Sequence, residues 1–398
     1  MKTSAHGIRT SHAGRLPVPP GFEDMPARLA GGRIADGAEF AEKVAPAITE
    51  VVRKQVEIGI DCIGDGEFWT GRNFAYYANH LEGVTVRPLR LGEVGTTREV
   101  TREREDFQSF YRDMDRLQTM FFVPGEKPMQ PIRERVVATG PIKSKGATAI
   151  RREIEAFKAA IARAGTPVDE AFIAVIAPGW VDHFVYNEHY KTEEEFIYAL
   201  AEALGEEYRA VVEAGFVLQI DDPGLPDWWD MIVPAPTIAA YRKFAKLRID
   251  ALNHALVGIP EDKVRYHLCW GSWHGPHTHD IPLQDIIDLV VAVKAQTYSF
   301  EAGNVRHEHE WRVWQDVKLA PEKMLMPGVV GHATNIIEHP ELVAERIVRY
   351  ASVVGRENVI AGTDCGLAAR VSHPEICWAK LRSLGEGARL ASKELWNR

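Results

Sequence analysis

Val264-Arg265-Tyr266-His267-Leu268-Cys269-Trp270 is a short run suited to extended chain, set between two longer stretches, 236–256 and 281–294, whose apolar residues recur at helical spacing. The same unit returns along the chain. Comparable runs lie at 7–14, 60–67, 133–140, 172–178, 216–222, 297–302, 324–330 and 359–365, and most end in Gly, Asp, His or Glu. Amphipathic stretches at 40–58, 153–164, 192–214, 341–354 and 374–395 complete the alternation. Strand–helix alternation implies a parallel sheet with helical crossovers, and about eight repeats close most economically as a (β/α)8 TIM barrel. There is one candidate strand too many, so one run is expected to be irregular or external. No linker divides residues 1–398, which are expected to form a single barrel. The segment 87–130 departs from the pattern, being rich in Arg, Glu and Asp and then aromatic at Phe107, Phe110, Tyr111, Phe121 and Phe122. It reads as a lid-like insertion after the second strand, placed to cover the pocket mouth.

Composition narrows the function. A chain of 398 residues, 45% hydrophobic and 26% charged, can bury a large core. A formal charge of -9 supplies no basic face for nucleic acid or anionic membrane, which leaves small molecules as the expected partners. The first twenty residues carry Lys2, Arg9 and Arg15 without an apolar core, and no stretch reaches membrane-spanning length, so a cytoplasmic protein is expected. Four cysteines are too few for a disulfide framework and fit metal binding or reactivity in a reducing compartment. Cys62 and Cys377, in apolar surroundings, read as inert filling.

The polar residues fall where a barrel places its chemistry. Asp65-Gly66-Glu67, Asp221-Asp222-Pro223, His267-Leu268-Cys269, Glu301, His332 and Asp364-Cys365 all end predicted strands, on the face that carries barrel active sites. Any one of them alone reads as a helix cap or a loop anchor. Together they are expected to converge. His267 and Cys269, two residues apart on a strand, point to the same side and can reach one metal. With Cys365 at another strand end and Glu301 at a strand between, the set reads as a Zn²⁺ site with one exchangeable position. Two thiolates and a carboxylate make such a zinc electron-rich, which suits alkyl transfer to a substrate sulfur better than hydrolysis.

These residues also carry a resemblance. Asp364-Cys365-Gly366-Leu367-Ala368-Ala369-Arg370 resembles the block around the last zinc ligand of the cobalamin-independent methionine synthase catalytic barrel and its single-barrel relatives. His267-Leu268-Cys269, Ser299-Phe300-Glu301, Gln219-Ile220-Asp221-Asp222-Pro223 and the block from Gln55 to Glu67 are similar to further blocks of that family, in the same order. The resemblance runs from the first strand to about Arg370. It implies a TIM barrel with His267, Cys269, Glu301 and Cys365 as zinc ligands, Glu301 yielding when substrate sulfur binds. It implies that Glu67 and Asp221 hold the amino group of homocysteine, and that His332 is the general acid that protonates the departing group. Trp180, after Pro178-Gly179, reads either as an aromatic platform for a flat donor such as a pterin or as core.

Departures matter too. Where the family has Gly-Ser-x-Pro this chain has Gly14-Arg15-Leu16-Pro17, so a fixed cation stands where a substrate-binding hydroxyl is expected. Arg15 reads either as a partner for a carboxylate or sulfonate on the substrate, or as a bridge to Asp65 or Asp364. The segment Gly275-Pro276-His277-Thr278-His279-Asp280 lengthens the gap between Cys269 and Glu301. It reads as a solvated loop, with a second metal or proton shuttle as the sharper alternative. Arg306-His307-Glu308-His309-Glu310 reads as a helix start at the rim. Three functions follow from these residues and the resemblance. The first is methyl transfer to homocysteine from a folate or a methylcorrinoid protein. The second is an epoxyalkane:coenzyme M transferase, in which a thiolate opens an epoxide. The third is a non-catalytic zinc-binding barrel.

Overall fold

The computed structural model describes residues 1–23, 38–67, 74–94, 101–117, 133–145, 148–271, 273–371 and 373–397. Its strands are β1 (Arg9–Thr10), β2 (Cys62–Gly64), β3 (Leu81–Pro88), β4 (Glu134–Ser144), β5 (Glu170–Ile176), β6 (Val185–Asn187), β7 (Val217–Asp221), β8 (Val264–Leu268), β9 (Thr297–Glu301), β10 (Met324–Val330) and β11 (Ile360–Thr363). Eight of them pair in parallel in the order β1-β11-β10-β9-β8-β7-β5-β2. The two ends of this sheet meet: Asp61 N donates to Thr10 O at 3.2 Å, and Ser11 Oγ donates to the Cys62 carbonyl at 2.9 Å. The barrel is therefore nearly closed, as the alternation predicts.

The surplus run is the one at 133–140. It forms part of β4, which pairs antiparallel with β3 and parallel with β6 in a separate three-stranded sheet outside the barrel. The expected helix at 281–294 also differs. After Pro282 the chain makes a single 3-10 turn, Leu283–Asp285, and only a short helix, Ile287–Val291. Of the 87–130 insertion, residues 95–100 and 118–130 lie outside the described residues, including Phe121 and Phe122. The described part holds the helices Glu103–Asp106 and Gln108–Leu117.

Strand alternation sorts side chains into two environments. On β7, β8 and β9 the residues Leu218, Ile220, Tyr266, Leu268, Tyr298 and Phe300 join the apolar layer between sheet and helices. Their neighbours Gln219, Asp221, Arg265, His267, Ser299 and Glu301 face the barrel interior, where Gln219 Nε2 reaches Ala13 O at 2.9 Å and Arg265 Nη1 reaches Ser11 Oγ at 2.8 Å. Below them the interior is closed by Phe172, Val217, Met324, Met326 and Met1, with the Arg265 guanidinium lying over Phe172. Helix starts are fixed locally. Thr192 and Glu195 form a reciprocal capping box for Glu193–Glu213, and the Thr237 side chain caps Ile238–Ala255, contacts worth about 1 kcal/mol each. No helix among the described residues is long and apolar enough to cross a membrane.

Candidate active site

The upper interior gathers most of the predicted site residues. Cys269 follows β8 and Cys365 follows β11, and their sulfurs stand 3.8 Å apart. One ligand atom from each of His267, Cys269 and Cys365 lies within 4.8 Å of the others. His267, 1% exposed, has Nδ1 2.9 Å from Ser299 Oγ, which leaves Nε2 buried with no hydrogen-bond partner among the described residues. The Cys365 thiol is held well below its usual value, first by the Cys269 thiol and then, against burial, by His267 and His332. These residues fit zinc. Two sulfurs each ~2.3 Å from a tetrahedral zinc stand ~3.8 Å apart, and an orphaned imidazole nitrogen makes a third donor beside them.

Glu301 falls in an adjoining group with His332 and Asp364, whose ligand atoms also lie within 4.8 Å of one another. It is not among the three residues of the sulfur group, so the four expected ligands occupy two neighbouring clusters. Glu301 Oε1 accepts from Trp270 N at 2.9 Å and Oε2 from Asn304 Nδ2 at 2.6 Å. Burial, with Asp364 and Cys365 adding to it, pushes the carboxyl up to about 8 against the pull of His307. Its two N–H donors suit the carboxylate, so an arriving cation would be matched by loss of the proton. His332 is 2% exposed and, among the described residues, neither ring nitrogen has a hydrogen-bond partner; burial drops its pKa to about 3, so the ring is neutral. Asp364 plays a scaffolding part: its Oδ1 accepts from Ala302 N at 2.7 Å and Gly303 N at 2.8 Å, tying the end of β11 to the loop after β9.

The expected substrate-binding residues are placed unevenly. Glu67 sits after β2 with φ 51°, the left-handed region that a non-glycine residue enters at a cost. Its carboxylate lies against Gly14, where a Cβ would meet Glu67 Oε1 at 2.1 Å. Gly14→Ala must therefore displace Glu67. Its expected result is a KM for an amino-acid thiol raised ~10-fold, about 1.4 kcal/mol, with zinc content unchanged; an unaltered KM would remove Glu67 from the pocket. Asp221, partly buried at the end of β7, accepts from Gln219 Nε2 at 2.8 Å. Asp222 turns the other way and accepts from Tyr266 Oη at 2.8 Å, so it does not converge with the rest. Trp180, partly buried in the turn Pro178–Val181, packs against His183 at 4.2 Å and Phe184 at 5.3 Å.

Two expectations are overturned. Arg15 does not bridge to Asp65 or Asp364: its side chain is exposed and, among the described residues, its guanidinium has no ion-pair or hydrogen-bond partner. Its backbone is fixed beside the cysteine loop, since Arg15 O accepts from Ala368 N at 3.1 Å and a Cβ on Gly366 would meet Arg15 N at 2.8 Å. The 275–280 segment is not a solvated loop. His277 is partly buried with Nδ1 3.1 Å from both Asp280 oxygens, and His279, also partly buried, pairs with Asp106 at 2.6 Å. Thr278 N donates to Glu103 Oε1 at 2.6 Å and Tyr111 Oη donates to Glu103 Oε2, so the insertion docks on this loop.

Sequence reasoning passed over Arg265, fully buried two residues before His267, which donates to Ser11 Oγ and His12 O and lies 3.9 Å from the Phe172 ring centroid. Period-two spacing from His267 was the signal for it. The same spacing from Glu301 marks Ser299, the partner of His267. Cys62 and Cys377 are buried, with thiols raised by burial to about 11 and about 12.

No protein-family model matches the chain. It is 22% identical to a methionine synthase of Saccharolobus islandicus (strain Y.N.15.51 / Yellowstone #2) over 392 residues, covering 98% of this chain and 96% of that protein. It is 24% identical to a 2-hydroxypropyl-CoM lyase of Xanthobacter autotrophicus (strain ATCC BAA-1158 / Py2), again over 98% of this chain and 96% of the relative. Among solved structures, a B12-independent methionine synthase from Shewanella sp. W3-18-1 in complex with selenomethionine superposes with a TM-score of 0.69 at 19% identity, covering 98% of this chain and all of that one. That likeness establishes the barrel fold. The resemblance carried by the motif blocks thus extends over nearly the whole chain.

Proposed function

We propose that this chain is a zinc-dependent thiol alkyltransferase, with methyl transfer to homocysteine as the first reading. The observation that carries it is the His267–Cys269–Cys365 group, with its 3.8 Å sulfur pair and orphaned imidazole nitrogen. A zinc ion held by these three residues, with Glu301 as the exchangeable fourth donor, would bind the acceptor sulfur and lower its pKa while leaving it nucleophilic. The remaining work falls to the chain itself. Glu67 and Asp221 supply two carboxylates for an ammonium group, and Arg15, unpaired among the described residues, supplies a cation for a carboxylate. His332, grouped with Glu301 and Asp364 in the upper interior, would protonate the leaving atom of the donor as the S–C bond forms; burial keeps its ring neutral in the substrate-free protein, so it would take up that proton only when the charge of the bound substrates offsets burial. The insertion docked through Glu103 and Tyr111 is suited to excluding water during transfer.

A second reading keeps the same residues and changes the substrates. The similarity to a 2-hydroxypropyl-CoM lyase and an Arg15 without a polar partner among the described residues favour coenzyme M as acceptor, its sulfonate on Arg15, with His332 protonating the alkoxide of an opened epoxide. Retention of Glu67 and Asp221 puts homocysteine first, because coenzyme M has no ammonium group. The test offers zinc-loaded protein homocysteine with a methylfolate, and separately coenzyme M with a short epoxyalkane. Methionine formation supports the first reading and a hydroxyalkyl thioether the second. No product from either, nor from homocysteine with a methylcorrinoid protein, would leave a non-catalytic zinc barrel. Arg15→Ser should raise KM for the productive thiol ~10–100-fold, about 1.4–2.8 kcal/mol, with zinc retained. An unchanged KM would return Arg15 to the surface.

A further inference from the structure

The two histidine-rich stretches, 275–280 and 306–310, take no part in this chemistry, yet the fold joins them beside it. His307 has Nδ1 2.9 Å from Glu310 Oε2 and Nε2 3.0 Å from Asp280 Oδ2. His277 has Nδ1 3.1 Å from both Asp280 oxygens and Nε2 2.9 Å from the Trp273 carbonyl oxygen. Every one of these partners is an acceptor, so both rings are satisfied with an N–H at each nitrogen. The unit is two imidazoliums and two carboxylates, neutral overall, with Asp280 shared. Burial opposes the charge on the rings, but Asp280 and Glu310 outweigh it at His307, held up to about 10, and Asp280 does so at His277, held up to about 9.

His307 touches both routes to Glu301. Its ring stacks on Trp270, centroids 3.9 Å apart and planes at 20°, and the Trp270 amide is the donor to Glu301 Oε1. Its own amide donates at 3.0 Å to Asn304 Oδ1, whose Nδ2 is the donor to Glu301 Oε2. Glu310 Oε1 in turn accepts from Leu283 N at 2.7 Å, clamping the loop after β8 to the loop after β9. Each oxygen of Glu301 is thus held by a group that His307 braces. We propose that His307, with Asp280, Glu310 and His277, is a positioning unit for Glu301, fixing how its carboxylate is presented to the metal and how readily it gives way to a thiol. The metal part of this statement rests on the zinc reading above; the positioning part does not.

The test uses His307→Phe, which keeps a ring against Trp270 and loses both ring hydrogen bonds, and Glu310→Gln as a milder second variant should His307→Phe fail to fold. In metal-free protein the Glu301 carboxyl ¹³C signal, assigned by its loss in Glu301→Gln, should shift in either variant. In chelator competition, either variant should weaken zinc binding roughly 10–100-fold, the usual size for a residue that orients a ligand. Combined with Glu301→Gln, neither should weaken it further, because the unit acts through Glu301. An unmoved carboxyl signal, or equal losses in the presence and absence of Glu301, would overturn the proposal. Wild-type protein that takes up no zinc would strike the zinc reading alone, and the ¹³C result would still decide the positioning role.

Discussion

Cys365→Ser and Cys269→Ser proteins are each expected to lose zinc and turnover together, with metal affinity falling by more than the ~10–100-fold typical of residues that merely support a ligand. A hydroxyl at either position stays protonated near neutral pH and cannot supply the soft anion that zinc draws from a thiol already held low beside its neighbour. Cys62→Ser is the control. Cys62 is 1% exposed in the lower barrel beside Phe172 and Val217, with its thiol raised to about 11, so its loss should leave zinc content and turnover nearly unchanged. Metal content by elemental analysis, read beside turnover, checks all three. Equal loss in all three variants would sink the ligand assignment.

His332→Ala is expected to retain zinc and lose ~10²–10⁴-fold in kcat, the usual contribution of a positioned acid or base. Added imidazole should restore part of the rate, because the substitution opens a ring-sized space at the site; a purely structural histidine would show no such rescue. The same residue predicts a pH effect on stability. Folded His332 sits at about 3 while an unfolded histidine titrates near 6.5, so below that value the unfolded chain binds a proton that the folded chain refuses. Its contribution is therefore present above about 6.5 and is lost as pH falls towards 3. Denaturant titration of metal-free wild type and His332→Leu across this window should show the wild type losing stability more steeply as the solution is acidified. Parallel curves would mean that the ring is protonated in the folded state.

The barrel was legible because its signal is local and repeated. A run such as 216–222 ends its apolar stretch in Gln219-Ile220-Asp221, and the alternation alone sends Gln219 and Asp221 inward. What misled was context. The run at 133–140 has strand chemistry like the others, but its partner is Leu81–Pro88, whose Val84-Thr85-Val86 alternation marks it as a strand and turns the pair outward as an antiparallel ribbon. The stretch 281–294 has helical periodicity, yet Pro282 and the anchoring of Leu283 by Glu310 leave only a short helix.

In the site, residues two apart on one strand can be read as sharing a face, which is what groups His267 with Cys269. The 275–280 loop could not be read this way. Its burial depends on Asp280 meeting His307, twenty-seven positions later, and on Glu103 from the insertion. Arg15 is the reverse case. A cation in a chain whose strand ends carry Asp65 and Asp364 invites a bridge, and only the fold reveals that its backbone is held by Ala368 N and packed on Gly366 while its side chain has no polar partner among the described residues.

Zinc-edge X-ray absorption of purified protein, recorded at rest and after adding homocysteine or coenzyme M separately, reads the metal–thiolate chemistry itself. Two sulfurs with lighter ligands are expected at rest, rising to three sulfurs with the true acceptor and not with the other thiol. No zinc, or a sulfur count that neither thiol changes, would contradict thiol activation at the His267–Cys269–Cys365 site.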